Sequence, residues 1–327
     1  MRIAVLGAGA FGTALAVHLK RLAHDPVVWT RSVAKAVQIR SGSNHEALPG
    51  LEFEPGIRAE TGVEAALDGA DLVILATPSL AIREALVMVT RARPGLRAVC
   101  VAKGIDPKTL ELHSQIAAKV APASPFCALT GPSFAREIIA GQPTALVAAS
   151  KDAGLAREVQ AAFSGPRLRV YESDDVEGAE MAGALKNVIA IAAGMVAGLK
   201  CGENTRAALI TRGLAEISRL VVASGGRAET VAGLAGLGDL VLSCSSNQSR
   251  NYQFGRLVAE GKEPSEVLHS LGTVEGFRTT SAACLLGDRL GVETPIAREV
   301  RGVLVQGVSP QDAVAALMLR RLKREVH

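Results

Sequence analysis

A lysine inside a strongly apolar segment is the residue whose surroundings most favour chemistry. Lys186 lies in the segment 181–199, where every other residue except Asn187 is apolar. A segment that is apolar on all sides is typical of a buried helix, and an ammonium group buried without a partner is energetically costly. The pattern therefore predicts either a charged partner for Lys186 or a role in proton transfer. A lysine that extends its head group to the surface is the alternative.

Two further isolated charges are candidates to accompany Lys186. Lys103 follows the predicted strand 98–102, and ligands of open α/β sheets bind at the carboxyl ends of the strands. A neighbouring cation would lower the proton affinity of Lys186 toward the range useful for catalysis. Asp239 ends the glycine-rich segment 233–239, where its carboxylate could orient a lysine. An exposed lysine at a strand end and a helix-capping aspartate are the alternatives.

Histidine is the usual acid or base in proteins, but no histidine stands in a comparable position. His18 and His24 belong to the first predicted strand and helix, and His113 and His269 are expected on helix surfaces. Lysine is therefore the preferred candidate for proton transfer.

Hydrogen-bond donors are concentrated in two other segments. The segment 131–135 follows a predicted strand and offers backbone amides and a hydroxyl group. The segment 245–251 is dense in hydroxyl, amide and guanidinium groups, which are the donors that a phosphate monoester needs. These segments predict a substrate site, and a solvated polar loop is the alternative for the second.

A glycine motif near the amino terminus predicts a dinucleotide site. Gly7, Gly9 and Gly12 follow a predicted strand and precede a helix predicted over 13–21. In that context the first glycine permits a tight turn, the second lets backbone amides approach a pyrophosphate, and the third allows close helix packing. The helix N-terminus favours the anion. A purely structural glycine turn is the alternative.

The end of the second predicted strand bears on the choice of cofactor. An NAD-specific site usually has an acidic residue there, whereas this chain has Arg31. A guanidinium group could hold the 2′-phosphate of NADP, so NADPH is favoured. An ordinary surface arginine is the alternative.

The rest of the pattern predicts an α/β fold with a Rossmann-like, mostly parallel sheet, followed by an all-helical C-terminal domain. We expect a dinucleotide-binding domain over 1–175 and a substrate-binding, catalytic domain over 176–327. In the second, Asn204 or Thr205 should cap one helix and Ser309 the last one. The predicted strands are Ile3–Leu6, Pro26–Trp29, Leu72–Ala76, Ala98–Ala102, Cys127–Thr130, Ala145–Ala149 and Leu168–Tyr171.

Composition excludes several function classes. The 36 basic and 32 acidic residues are scattered and give a net charge of only +4, which argues against nucleic-acid binding. Five cysteines without a C-x-x-C pair argue against a disulfide framework or a zinc site, so no metal is expected. The sequence lacks the pattern of a secretory signal, and Lys186 argues against a membrane span. We expect a soluble, cytoplasmic protein.

Taken together, these segments resemble the bacterial-type NAD(P)-dependent glycerol-3-phosphate dehydrogenases over essentially the whole chain. Agreement in so many stretches, in the same order, is not expected by chance. The matching stretches are Gly-Ala-Gly-Ala-Phe-Gly at 7, Lys-Gly at 103, Gly-Pro-Ser-Phe-Ala at 131, Gly-Ala-Leu-Lys-Asn-Val at 183, Arg-Ala-Ala-Leu-Ile-Thr-Arg-Gly at 206, Gly-Leu-Ala-Gly-Leu-Gly-Asp-Leu at 233, Ser-Arg-Asn at 249 and Val-Glu-Gly at 274.

The resemblance implies reduction of dihydroxyacetone phosphate to sn-glycerol 3-phosphate, the backbone precursor of glycerophospholipids. It places Lys186 on the family's proton acceptor, assisted by Lys103 and Asp239. The implied substrate contacts are Lys103, Gly131, Ser133, Lys186, Asp239, Ser249, Arg250 and Asn251. The implied dinucleotide contacts are Gly7, Gly9, Ala10, Phe11, Gly12, Arg31, Lys103, Ala135, Arg250, Thr273 and Glu275.

Two other functions remain open at this point. One is a lysine-based dehydrogenase of the same architecture that acts on a hydroxy acid such as ketopantoate or hydroxyisobutyrate. The other is a non-catalytic sensor that binds NADP and signals to a partner protein, which predicts that Lys103, Lys186 and Asp239 do not converge on one pocket. For any of these functions, the helical half, rich in alanine and glycine, could support a homodimer.

Overall fold

A single twisted sheet forms the framework of the first half of the chain. The computed structural model describes residues 1–321. Its eight strands lie in the order β3-β2-β1-β4-β5-β6-β7-β8, and all neighbours are parallel except β6 and β7. The strands are β1 (Arg2–Leu6), β2 (Asp25–Trp29), β3 (Arg58–Glu60), β4 (Leu72–Leu75), β5 (Arg97–Cys100), β6 (Phe126–Thr130), β7 (Thr144–Ala149) and β8 (Leu168–Ser173).

The central strands are apolar because helices cover both faces of the sheet. All four residues of β4 are buried, for example, and Leu75 pairs with Leu6 of β1. A continuous apolar run is what a strand buried on both faces requires. The covering helices are α1 (Ala10–Arg21), α2 (Val33–Arg40), α3 (Val63–Leu67), α4 (Ile82–Ala92), α5 (His113–Val120), α6 (Ala135–Ile139) and α7 (Ala153–Phe163), with a 3₁₀ turn at Ser79–Ala81.

The strand order reverses between β1 and β4. β2 and β3 lie on one side of β1, and β4 to β8 continue on the other side. A reversal of this kind leaves a crevice at the carboxyl ends of the two strands, which is where open α/β sheets bind ligands. The loops after β1, β4 and β5 therefore meet at one edge of the sheet.

From Val176 to the end of the described chain the protein consists of helices and loops. These helices are α8 (Val176–Gly198), α9 (Glu203–Ala223), α10 (Ala228–Ala232), α11 (Asp239–Cys244), α12 (Arg250–Ala259), α13 (Pro264–Leu271), α14 (Glu275–Leu290), α15 (Pro295–Gln306) and α16 (Pro310–Met318). A π-helical turn at Leu234–Gly238 precedes α11.

Helix α8 lies at the centre of the helical half. Glycines let α12 approach it closely: a Cβ atom at Gly255 would lie 1.9 Å from the Ile191 carbonyl oxygen, and one at Gly194 would lie 2.0 Å from the Tyr252 carbonyl oxygen. Helix α8 is also long and apolar enough to cross a membrane, but 89% of its most apolar window is buried inside the protein. The all-round apolarity of α8 thus matches a core helix.

The predicted fold class is confirmed, with the bounds of the seven predicted strands correct to within one or two residues. Strand β3 was missed because its three residues, Arg-Ala-Glu, carry too little apolar character to stand out. The predicted bounds of the two domains stay a prediction, and residues 322–327 of the second lie outside the described residues.

Several local predictions are corrected by the structure. Helix α1 begins at Ala10 inside the glycine motif rather than at residue 13. Helix α9 begins at Glu203 after Gly202, so neither Asn204 nor Thr205 is its cap. Ser309 does cap α16, because its hydroxyl accepts a hydrogen bond from the Asp312 amide.

The prediction that His113 lies on a helix surface is also wrong. His113 begins α5, and only 1% of the residue is exposed. Its helix packs this first residue inward against the loops of the sheet.

Candidate active site

Two lysines and one aspartate form the centre of the site. Lys103 Nζ donates a hydrogen bond to Asp239 Oδ2 at 2.5 Å, and Lys186 Nζ donates to Asp239 Oδ1 at 2.8 Å. Lys186 and Asp239 are buried, with 7% and 1% of each residue exposed. One carboxylate thus bridges two ammonium groups that come from opposite halves of the chain. This convergence contradicts the sensor hypothesis, which predicted that the three residues do not meet.

Burial and charge set the protonation of this group. Burial lowers the pKa of Lys103 to about 8; Asp239 opposes this change and Lys186 adds to it. Burial alone would raise the pKa of Asp239, but the two lysines hold it below its ordinary value. The carboxylate therefore stays ionised at neutral pH, while Lys103 holds its proton much more weakly than a free lysine does.

Each element positions its charge for a local reason. Lys103 follows β5 at the carboxyl edge of the sheet, Lys186 projects from the buried helix α8, and Asp239 is the first residue of α11. An acidic residue in the first turn of a helix also interacts favourably with the helix dipole. The helix-cap alternative for Asp239 is nevertheless wrong, because Gly238 is the N-cap residue of α11 and no side chain caps this helix.

A serine that the sequence analysis missed completes the surroundings of Lys186. Lys186 Nζ donates a second hydrogen bond to Ser243 Oγ at 2.6 Å. Ser243 lies four residues after Asp239 in α11, so the two side chains share a helix face. This spacing of four residues from Asp239 was the sequence signal that could have identified Ser243.

The loop after β6 closes the side of the site next to Lys103. Lys103 Nζ donates to the Gly131 carbonyl oxygen at 3.0 Å, and the Ser133 hydroxyl donates to the same oxygen at 3.0 Å. The structure therefore brings Gly131 and Ser133 together with Lys103 and Asp239, as predicted from their positions after neighbouring strands.

The segment rich in donors lies at the start of α12. Ser249 caps this helix by accepting a hydrogen bond from the Tyr252 amide, and Arg250 is its first residue. The N-terminus of a ten-residue helix favours an anion such as a phosphate. The solvated-loop alternative is wrong for Ser249, which is only 6% exposed.

Asn251 connects this segment to the rest of the site. Its Nδ2 donates to Asn187 Oδ1 at 2.9 Å, and its Oδ1 accepts from the Gly276 amide at 2.9 Å. Asn187 follows Lys186 directly, and Gly276 follows Glu275. The sequence analysis named Asn187 only as a polar exception in its segment, although its position beside Lys186 was a usable signal.

The glycine loop has the geometry of a dinucleotide cradle. Gly7 adopts φ +121°, which favours glycine, and a Cβ atom at Gly12 would lie 2.1 Å from the Gly7 carbonyl oxygen. Around Gly9, by contrast, no atom beyond Gly9 and its two chain neighbours lies within 4 Å of the position of a Cβ atom. The open side at Gly9 gives a ligand access to the backbone at the start of α1, so the loop fits the phosphates of a dinucleotide. Ala10 and Phe11 form the first turn of that helix.

A buried asparagine holds the glycine loop in place. Asn44 is fully buried and donates hydrogen bonds to the Ala8 carbonyl oxygen at 3.1 Å and to Thr13 Oγ1 at 2.8 Å. No feature of the local pattern marked Asn44 as a support of the loop.

The other residues predicted to bind the cofactor are Arg31, Ala135, Thr273 and Glu275, and we call them the rim of the cofactor site. The side chain of Arg31 is 74% exposed, pairs with Glu84 at 3.4 Å and lies 5.9 Å from the centre of the Trp29 ring. Ala135 begins α6, and Thr273 precedes α14. Glu275 accepts a hydrogen bond from the Ser79 amide at 3.1 Å.

Charge is balanced around Glu275. Burial raises the pKa of its carboxyl group, while Arg278 and Arg250 oppose that change.

Among residues 1–321 no cluster of three or more His, Cys, Asp or Glu side chains could hold a metal ion.

Comparisons with known proteins agree with this geometry. Residues 2–156 match the model of the NAD-dependent glycerol-3-phosphate dehydrogenase N-terminus, and residues 175–315 match that of the C-terminus. The chain is 46% identical over 332 residues to a glycerol-3-phosphate dehydrogenase [NAD(P)+] of Anaeromyxobacter dehalogenans, with all of both chains covered. A second relative with that name, from Acidobacterium capsulatum, is 46% identical with 98% of each chain covered.

A solved structure extends the agreement to three dimensions. The crystal structure of glycerol-3-phosphate dehydrogenase from Coxiella burnetii is 37% identical, covers 98% of this chain and 99% of its own, and superimposes with a TM-score of 0.93. Both family models match, and they cover most of the described chain. The chain therefore belongs to the NAD(P)-dependent glycerol-3-phosphate dehydrogenase family.

Proposed function

We propose that this protein reduces dihydroxyacetone phosphate to sn-glycerol 3-phosphate with NADPH or NADH, and that it catalyses the reverse oxidation. The observation that carries the proposal is the buried carboxylate of Asp239 between Lys103 and Lys186. A reduction of this type consumes one hydride and one proton per carbonyl group. The reduced nicotinamide supplies the hydride when it is bound, so the protein must supply the proton.

Lys186 donates that proton to the oxygen at C2 of the substrate in our proposal. The ammonium group has three N–H bonds, of which two donate to Asp239 and Ser243, so one is left to donate to the substrate. Because the group is buried, its orientation is fixed before the substrate arrives. The neutral amine left after the transfer regains its proton from Lys103 or solvent. In the reverse direction, the neutral amine of Lys186 removes the proton from the hydroxyl group.

The phosphate group of the substrate lies against the N-terminus of α12, with Arg250 and Asn251 as donors. Charge-assisted hydrogen bonds from a guanidinium group are among the strongest contacts available to a phosphate. An anchor far from C2 lets binding energy position the reacting carbon. Arg250→Ala should therefore raise the KM for dihydroxyacetone phosphate about thirtyfold and change kcat much less. Lys262→Ala, an exposed change just after the same helix, is the control.

An assay of substrates tests the proposed function directly. Purified protein is given dihydroxyacetone phosphate, ketopantoate or the aldehyde of hydroxyisobutyrate, each with NADPH and with NADH, and oxidation of the cofactor is followed by absorbance. We expect turnover with the phosphate ester and none of comparable rate with the two carboxylates. Preferred turnover of a carboxylate would replace our assignment with the hydroxy-acid alternative.

NADPH is the preferred cofactor in this proposal. The support is Arg31, whose exposed guanidinium group follows β2 where an acidic residue would otherwise meet the ribose. The Glu84 carboxylate that now pairs with Arg31 would exchange for the 2′-phosphate. Comparison of kcat/KM for the two cofactors in the wild-type enzyme measures the preference, and a higher value for NADH would contradict it.

The product gives the protein a place in lipid metabolism. sn-Glycerol 3-phosphate is the backbone on which glycerophospholipids are built, so we propose that the enzyme supplies it as a cytoplasmic homodimer. Depletion of the enzyme should stop phospholipid synthesis, and added glycerol 3-phosphate should restore it. Light scattering of the purified protein measures the mass; a monomer at micromolar concentration would contradict the dimer.

A further inference from the structure

A buried histidine that takes no part in the proposed proton transfer lies directly behind the active site. His113 is 1% exposed, and burial lowers the pKa of its ring to about 4, although hydrogen bonds with the backbone of Ala102 and Ser79 oppose the change. The ring is therefore neutral at neutral pH and has one donor and one acceptor nitrogen. Its Nε2 lies 2.9 Å from Ser79 Oγ.

The polar partners of the His113 ring come from two neighbouring strands of the sheet and from α8. Ser79 lies in the loop after β4 and faces Nε2, while Nδ1 lies 3.7 Å from Sγ of Cys100, the last residue of β5, and 3.9 Å from Glu180 Oε1. Cys100 lies three residues before Lys103, so the ring contacts the strand that leads to one of the two site lysines. A single side chain thus connects loops from neighbouring strands.

The loop after β4 transmits this contact to the cofactor side. The Ser79 amide donates to Glu275 Oε1 at 3.1 Å. Ser79 also packs tightly against Gly104, since a Cβ atom there would lie 2.2 Å from Ser79 Oγ and 3.8 Å from Glu275 Oε2. Displacement of Ser79 would therefore move both Glu275 and the backbone next to Lys103.

The helix that carries His113 is fixed to the helix that carries Lys186. The Ser114 amide lies 3.2 Å from both carboxylate oxygens of Glu180, and its hydroxyl group donates to the same carboxylate. Glu180 lies six residues before Lys186 in α8. The start of α5 is consequently held against the helical half while its first side chain holds the two loops of the sheet.

We propose that His113 is a positioning residue for the reaction, which acts with Ser79 to hold the Lys103 loop and Glu275 in register. The inference rests on the proposed function. It differs from a purely structural role, because loss of a structural contact should lower stability alone, whereas misplacement of Lys103 should also lower kcat.

Four variants test this role. His113→Leu removes the polar contacts of the ring, Ser79→Ala removes the hydroxyl partner, and His113→Gln keeps a polar group near the position of Nε2. His18→Leu is the matched control. His18 is also a buried histidine of the sheet domain, 6% exposed, and its Nε2 lies 2.7 Å from the Phe163 carbonyl oxygen.

We expect His113→Leu to lower kcat about tenfold while both KM values stay within about threefold of wild type. Ser79→Ala should lower kcat about fourfold, and the double variant should be no slower than His113→Leu, because the two residues share one link. His113→Gln should return kcat to within about twofold of wild type. His18→Leu should lower the melting temperature without lowering kcat.

Three results would overturn the proposal: wild-type kcat in His113→Leu and Ser79→Ala, fully additive losses in the double variant, or an equal loss of kcat in His18→Leu. If His113→Leu does not fold, Ser79→Ala and His113→Gln carry the test, since Ser79→Ala with wild-type kcat contradicts it alone. Turnover of dihydroxyacetone phosphate by the wild-type enzyme is measured first, so failure of the proposed function is seen separately.

Discussion

The proton-transfer centre and the rim of the cofactor site differ in how far they are organised before any ligand binds. At the centre, Lys186 already donates to both Asp239 and Ser243 and is 7% exposed. At the rim, the side chain of Arg31 is 74% exposed and pairs with another exposed side chain, Glu84. The first region is fixed by the protein, and in our proposal the second is completed by the ligand.

This difference has a physical basis. A charge in a buried site must be paired at all times, because an unpaired one costs several kcal/mol. An exposed charge is solvated by water and can exchange partners at little cost. Substitutions at the centre should therefore change turnover and stability by large factors, while those at the rim should change cofactor affinity by small ones.

Lys186→Met should give the largest effect. We expect kcat to fall about a thousandfold, because general acid catalysis contributes on the order of 10²–10⁴ to the rate. The dissociation constant for NADPH should stay near its wild-type value, since in our proposal the amine contacts the substrate carbonyl group rather than the cofactor. Steady-state kinetics and fluorescence titration of NADPH measure the two quantities.

Lys200→Met is the control for this experiment. Lys200 is exposed just beyond the end of the same helix, α8, so Lys200→Met removes the same charge without removing a buried contact. A variant at Lys186 with more than about a tenth of wild-type kcat would remove this residue from the role of proton donor.

Asp239→Asn should separate the two regions in stability as well as in rate. Removal of the carboxylate leaves the buried ammonium group of Lys186 and the partly buried one of Lys103 without their common partner, so we expect a loss of about 3 kcal/mol in the free energy of unfolding. We also expect kcat to fall about a hundredfold because both lysines lose their orientation. Urea unfolding and steady-state assays measure these changes.

An exposed ion pair provides the comparison for Asp239. Asp288 pairs with Arg298 at the surface, and its side chain is 53% exposed. Asp288→Asn should cost less than about 1 kcal/mol. Equal losses in the two variants would show that the buried carboxylate is no more important to stability than a surface one.

The sequence predicted the three charged residues of the centre, although not Ser243, because burial makes charged residues conspicuous. Lys186 stood out among apolar neighbours, and Lys103 and Gly131 followed predicted strands whose carboxyl ends had to share an edge. Strand periodicity and the glycine motif likewise predicted the order of elements and the class of fold. These features are local, so a single segment of sequence contains them.

Features that depend on distant segments could not be predicted. His113 has the local pattern of a surface residue, and only the packing of α5 against two loops buries it. Asn44 supports the glycine loop from 31 residues beyond Thr13, and nothing in the sequence connects the two. The short strand β3 depends on pairing with β2 more than on its own residues.

The pH dependence of turnover tests the charge balance at the centre. Because burial lowers the pKa of Lys103 to about 8, its positive charge is present below that pH and is lost as the pH rises through it. If the charge is needed for reduction, kcat should fall about tenfold for each pH unit above this value. Arginine keeps its proton throughout, so in Lys103→Arg the fall should move to higher pH, even if the maximum rate is lower. An unchanged pH profile in this variant would assign the titration to another group.

Arg31→Ala should give the smallest effect and is the sharpest probe of the rim. The guanidinium group is exposed, so its contact with a 2′-phosphate should be worth up to about 1 kcal/mol, or roughly a fivefold increase in the KM for NADPH. NADH lacks that phosphate, so its KM should not change, and kcat should stay the same with either cofactor because the centre is undisturbed.

Glu84→Gln is the matched change at the partner of Arg31: it removes a competing negative charge and should lower the KM for NADPH slightly. If Arg31→Ala instead lowers kcat with both cofactors, the rim is coupled to the centre, and the contrast between a fixed site and a completed one does not hold.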